Sequence, residues 1–213
     1  MRRKATLGIT AISQSKKSTS RDRIIRAASD LFGSSGYYGA GLNEIVRQGK
    51  APKGSIYYHF PGGKEQIAAE AILLLARSVV DQINLQQTKK QTASEAVRLF
   101  VETLSTSIVA SGYRSGGALA IVASESATTN KELNRTCQEA YGLISQAISG
   151  TLSARGFPKE KARTLSVAMT AAVEGGIVLS RTYHSRKPLQ TVAKLLGDMV
   201  KAADPSRATT EKR

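Results

Sequence analysis

Residues 36–65, GYYGAGLNEIVRQGKAPKGSIYYHFPGGKE, decide the fold. Leu42, Ile45 and Val46 recur at helical spacing, so a short helix with one apolar face begins just after Gly41. Gly49 tolerates a left-handed turn and stops it, and Pro52 falls at the first position of a new helix, where its fixed φ and missing N–H cost nothing. The pattern predicts two short helices joined by a three-residue turn. On the second helix Ile56 and Phe60, four apart, face inward. Lys53, Gly54, Ser55, Tyr57, Tyr58 and His59 are left as an outward surface of donors and aromatic rings, a chemistry suited to a major groove.

Charge around this stretch points the same way. Residues 1–64 hold 12 Lys and Arg against 3 Asp and Glu, whereas residues 65–213 hold 19 against 13. The whole chain carries +15 with a pI near 10.1, which favours a polyanionic partner. Nucleic acid ranks ahead of membrane, because no basic amphipathic helix with large apolar anchors and no run of 18 apolar residues occurs. The single cysteine, Cys137, excludes an intramolecular disulfide framework and fits a reducing, cytoplasmic compartment. MRRKATLGITAIS at the start has a basic beginning, but Thr and Gly interrupt its apolar middle; it reads as a flexible basic arm rather than a signal peptide.

No repeat and no sustained strand-like alternation is present, and the rest of the chain reads as helices, about nine in all. Ser20 is expected to cap the first helix, with Ile24, Ile25, Ala28, Leu31 and Phe32 on its buried face and Gly33 and Gly36 at its end. A fourth helix starts near Lys64 and carries Ile67, Ala68, Ala71, Ile72, Leu75 and Val79 as far as Gln86 or Gln87. After the polar segment at 88–92, a helix bearing Ala96, Leu99, Phe100, Thr103, Leu104 and Ile108 ends at Gly112, Gly116 and Gly117. A short helix over 118–127, one capped by Asn130, one begun by Pro158 and a last one begun by Pro188 follow. The resulting division is an arm over 1–19, a helix-turn-helix head over 20–63, a helical body over 64–203 and a polar tail over 204–213.

APKGSIYYHFPGGKE, taken with the helix and turn before it, resembles the second half of the DNA-binding domain of the TetR/AcrR family of bacterial repressors, and is similar to its LmrA/YxaF-like branch. The likeness covers roughly residues 20–75. VEGGIVLSRTYHSRKPLQTVAKLL, at 173–196, resembles the terminal helix pair of the same branch. This resemblance implies an all-α protein that binds a palindromic operator as a homodimer and releases it when a small-molecule effector occupies the body. Two departures stand out. Many relatives have Thr just before the first helix of the pair, where this chain has Ala40 and Gly41, and the glycine of the turn comes one position early, as Gly49 before Lys50.

Lys53, in the first turn of the reading helix, is the leading candidate for a base or phosphate contact. Gly54 lets the duplex approach closely, Ser55 reaches a base edge, and Tyr57, Tyr58 and His59 offer rings to thymine methyls and polar tips to phosphates. Lys64 opposes the macrodipole of the fourth helix, a placement that a phosphate there would reconcile. Asn43 lies where some relatives place a base-reading side chain. The expected dimer pairs the last two helices, since Ala168, Ala171, Ala172, Gly175 and Gly176 permit close approach and Leu189, Val192, Ala193, Leu196, Met199 and Val200 form a stripe. Ordinary internal packing is the competing account of those residues.

For an effector pocket the polar candidates are Glu102, Tyr113, Arg114, Glu125, Glu174 and Arg181, with Glu174 foremost because it interrupts an apolar run. No cofactor, metal site or catalytic group is expected. The two histidines, His59 and His184, and the one cysteine lack the spacing of a metal cluster or a nucleophilic pair. Gly36, Gly39 and Gly41 follow no strand, and Gly63-Lys64 lacks the rest of a phosphate loop. Two other classes stay open: a nonspecific DNA-coating protein, which would not discriminate between duplexes, and a helical enzyme, which would need convergent titratable groups.

Overall fold

The computed structural model describes residues 19–52, 54–87 and 91–205. Among them are nine helices and no strand: α1 (Ser20–Gly39), α2 (Leu42–Gln48), α3 (Ser55–His59), α4 (Gly63–Gln87), α5 (Ala93–Ala110), α6 (Ala118–Ser126), α7 (Lys131–Ser153), α8 (Lys159–Thr182) and α9 (Lys187–Ala202). The all-α class and the helix-turn-helix near the N-terminus are as expected. Lys53, nearly all of the expected arm and most of the expected tail lie outside the described residues.

The described residues pack as two units, one falling within residues 19–78 and 114–141, the other within residues 79–113 and 142–205. In the first, α1 is the hub, against which α2, α3 and α6 pack. Ile24, Phe32, Ile45, Phe60, Ile67, Val122 and Leu133 are fully buried there. In the second, α9 lies along α5 and α8. Ser94 Oγ donates to the Gly197 carbonyl across 2.8 Å and Arg98 pairs with Asp198 at 2.6 Å. A Cβ at Gly197 would collide with the Arg98 side chain, so the glycine is what lets Arg98 cross α9.

Three boundaries differ from expectation, each for a definable reason. The cap of α1 is Thr19, not Ser20. Asp22 N donates to Thr19 Oγ1 and Thr19 N donates to Asp22 Oδ2, both at 3.1 Å, a reciprocal box that needs an acceptor three residues past the cap. From Ser20 that position would be Arg23, which cannot accept. Gly33 does not end α1 but remains helical, and a Cβ there would sit 3.6 Å from that of Ala118 on α6. The break comes at Gly36, where φ is 75°.

The third difference lies in the turn before the reading helix. Pro52 does not begin α3; the helix starts at Ser55 with Gly54 as its cap, so six residues rather than three separate α2 from α3. Lys50 N donates to the Arg47 carbonyl and Ala51 N to that of Val46, each at 3.2 Å, closing α2 with a Schellman motif. The left-handed position of that motif falls on Lys50, at φ 46°, and not on Gly49. A non-glycine residue there costs about 1 kcal/mol. Gly49 is needed for another reason, since a Cβ on it would lie 3.1 Å from the Ile45 carbonyl oxygen and 3.2 Å from that of Arg23.

Candidate nucleic-acid interface

Five residues form α3, and the helical period divides them cleanly. Ile56 and the following Phe60 are buried against the hub, while Tyr57 is 80% exposed and Tyr58 83%. Gly54 is exposed, and Ser55 and His59 are half-buried at the edges of the same face. The Tyr58 and His59 rings meet edge to face, 4.8 Å between centroids. Two large aromatic side chains are thus held out in water on a helix too short to be stable alone, kept in place by the packing of Ile56 and Phe60. Asn43, also exposed, stands on α2.

The surface is held from behind by three arginine and lysine side chains. Arg23 Nε donates to the Gly49 carbonyl at 3.0 Å, and its terminal nitrogen reaches Ser20 Oγ at 3.1 Å. Arg21 lies over the Phe60 ring, 5.4 Å from its centroid, and pairs with Glu70 at 2.5 Å, so α1, α3 and α4 converge on one guanidinium. Neither arginine is simply a solvated charge beside the basic arm. Lys64 sets its ammonium 4.6 Å from the centre of the Tyr37 ring and donates to the Tyr38 carbonyl at 3.5 Å. Burial pushes the Lys64 ammonium below its usual range, with the nearby Glu125 carboxylate pulling the other way.

The basic head, built as helix, turn and helix with an aromatic face turned outward, has counterparts among known proteins. The family model for bacterial regulatory proteins of the TetR family matches residues 24–71, and that for the C-terminal domain of LmrA/YxaF-like transcriptional regulators matches residues 93–195. The chain belongs to the TetR family. Its relatives include the HTH-type transcriptional regulator LmrA of Bacillus subtilis, 34% identical over 85% of this chain and 97% of that protein. The Bacillus subtilis regulator YxaF is 32% identical over 85% and 95%. A TetR transcriptional regulator from Legionella pneumophila shares the fold, with a TM-score of 0.76 at 22% identity over 89% of this chain and 98% of that one. As a TetR-family member, the chain is a DNA-binding transcriptional regulator.

Of the residues considered for an effector, Glu102, Tyr113, Glu174 and Arg181 are dispersed over the second unit of this TetR-family protein, whereas Arg114 and Glu125 fall in the first. Glu102 is exposed on α5. Glu174 and Arg181, both half-buried, are seven apart on α8 and so lie on one face, two turns from each other. Tyr113 follows α5 at φ 61° and meets the ring of His184 edge-on, 5.4 Å between centroids. Glu125 belongs to the first unit, where its carboxylate accepts the backbone N–H of Tyr37 at 2.6 Å and of Tyr38 at 3.2 Å. Nothing in the sequence marks that role, nor that of Arg23, because both partners are main-chain atoms far away along the chain.

Proposed function

We propose that the protein is a ligand-responsive repressor in a bacterial cytoplasm, binding a palindromic operator as a homodimer. The observation that carries the DNA half of this reading is the exposure of Tyr57 and Tyr58 on a helix anchored by Ile56 and Phe60. In this reading Lys53, Gly54 and Ser55 approach base edges, Tyr57, Tyr58 and His59 reach thymine methyls and phosphates, and Asn43 and Lys64 flank them. Residues 20–63 do the reading, and residues 64–203 carry the effector site, with Glu174, Arg181, Tyr113 and Glu102 as its polar candidates. The chemistry asked of the protein is binding, not turnover.

The dimer rests on α8 and on the outer side of α9 at Leu195, because the α9 stripe expected to pair is largely taken up by internal packing: Leu189, Ala193, Leu196 and Val200 are buried within their own protomer. Val167 is 65% exposed, Val178 55% and Leu195 61%, and Ala168, Ala171 and Gly175 are exposed on the same side of α8. By length and composition alone α8 is apolar enough to cross a membrane, and only 33% of its apolar window is buried within the chain. A second copy placed across a two-fold axis would cover this face as half of a four-helix bundle. Gly176 is the exception among the small residues, for a Cβ there would lie 2.9 Å from Leu189 Cδ2, so it serves the contact of α8 with α9 in its own protomer. Two copies would set their reading helices on half-sites about 34–36 Å apart.

Selection of duplexes from a random-sequence pool tests the reading. A palindromic consensus bound by a dimer, and lost in Lys53→Ala and Ser55→Ala variants of unchanged helix content, is the expected result. Equal affinity for every duplex would instead indicate a nonspecific coating protein.

A further inference from the structure

Where α1 breaks at Gly36, the N–H groups of Tyr37 and Tyr38 lose their helical acceptors, and the Glu125 carboxylate of α6 takes both. A carboxylate accepting backbone N–H groups makes charge-assisted bonds, stronger than neutral ones. The break and the carboxylate require each other. A Cβ at Gly36 would collide with Glu125 Oε1, and the φ of 75° at Gly36 is one that side-chain-bearing residues rarely adopt. From the other side Lys64, at the start of α4, covers the Tyr37 ring and donates to the Tyr38 carbonyl. A separate tie runs from the residue before α7 to the first turn of α4, where Asn130 Nδ2 donates to Glu65 Oε2 at 3.0 Å.

The pinned dipeptide is three residues from Gly41, the cap of α2. We infer that Glu125 is a positioning residue for DNA binding: through the Tyr37 and Tyr38 amides it ties the place of α6 to the place where the reading pair begins. The tie itself is two hydrogen bonds from main-chain N–H groups to a half-buried carboxylate, which can be withdrawn by a side-chain rotation while Leu119 and Val122 keep α6 packed on α1. α6 is entered from α5 through a loop with Gly112, Gly116 and Gly117 all at positive φ, so α6 is joined to the second unit by a segment of permissive backbone. Withdrawing the carboxylate leaves two N–H groups to water and frees the α1–α2 connection. This inference rests on the regulator reading above and adds a residue that positions the reading pair from outside residues 20–63.

The test uses the full chain and a duplex selected from a random-sequence pool by the wild-type protein. Glu125→Ala and Glu125→Gln are compared with wild type by amide hydrogen exchange at Tyr37 and Tyr38, and by duplex affinity well below the melting midpoint. There the folded fraction is near unity, so a purely stabilising role leaves affinity unchanged. Glu125→Ala is expected to speed exchange at both amides, to leave α5 and α9 unaltered, and to weaken binding roughly tenfold, within the range usual for coupled sites. Glu125→Gln, whose amide oxygen still accepts an N–H, restores part of both. Faster exchange with unchanged affinity overturns the inference, and so does unchanged exchange. If wild type selects no sequence, the regulator reading fails and takes the inference with it, while the exchange data still report whether the carboxylate holds the dipeptide. Should Glu125→Ala not fold, Glu125→Gln supplies both readouts.

Discussion

Arg23 Nε donates to the carbonyl oxygen of Gly49 across 3.0 Å, joining the first turn of α1 to the end of α2 over 26 residues of chain. The same guanidinium lies 3.4 Å from the Lys50 carbonyl oxygen, so one side chain spans the turn that has placed Lys50 in the left-handed region.

Removing that side chain should therefore loosen the turn. Arg23→Ala is expected to lower stability by about 1–3 kcal/mol, the cost of leaving a buried acceptor unmet. Arg23→Lys should recover little, since an ammonium cannot bridge two carbonyls and Ser20 from one plane. Chemical denaturation of the three proteins checks both statements; equal midpoints would show that the turn holds without the guanidinium.

Thr19→Ala removes the hydroxyl that caps α1 and should cost about 0.5–2 kcal/mol. The effect has a pH dependence whose sign is fixed. Burial works against the charge on Asp22, but the hydrogen bonds from Thr19, with Arg26 and Arg21 nearby, hold its carboxyl below the ordinary 3.8. A lowered carboxyl stabilises the fold above its unfolded value and loses that contribution as pH falls through the folded one. The gap between wild type and Thr19→Ala should accordingly shrink below about pH 4 in thermal melts, and a gap constant from pH 7 to pH 3 would contradict the box.

Tyr57→Ala and Tyr58→Ala test the exposed face of α3. Both rings are in water and support no core, so stability should stay within about 0.5 kcal/mol of wild type. Affinity for a selected duplex should fall roughly tenfold or more for each, by loss of phosphate and methyl contacts. Fluorescence anisotropy at fixed salt gives the comparison.

Val178→Glu and Leu195→Glu place charges on the exposed apolar side of α8 and α9. Each should shift the protein toward protomers in light scattering while leaving the helical circular dichroism signal in place, because a buried unpaired charge at an interface costs several kcal/mol whereas an exposed one costs little. A variant that stays dimeric would move the interface elsewhere.

Periodicity makes much of this fold legible in the sequence. Ile24, Ala28, Phe32, Ile45, Ile56, Phe60, Ile67 and Ile72 each fall on a face that the 3.6-residue repeat marks as inward, and all are buried. Helix ends are harder. Gly33 and Gly36 look alike in sequence, yet only Gly36 has the unusual φ, because the choice is made by Ala118 and Glu125 some 85 to 90 residues away. Pro52 suits a helix start, but the closing motif of α2 takes up Lys50 and Ala51 first, which delays α3 to Ser55. The backs of functional surfaces are not legible at all. Arg23, Lys64 and Glu125 act on main-chain atoms or ring faces, which leave no pattern along the chain.

The apolar side of α8 and α9 lies entirely outside residues 20–63, so on the proposed assignment the capacity to pair and the capacity to read are written in separate places in the gene. A copy whose reading helix has been destroyed would still find an intact chain and yoke it into an assembly with one working head. In a cell carrying both alleles, such a copy would, on the proposed pairing, poison its sound siblings, and the defect would be inherited as dominant.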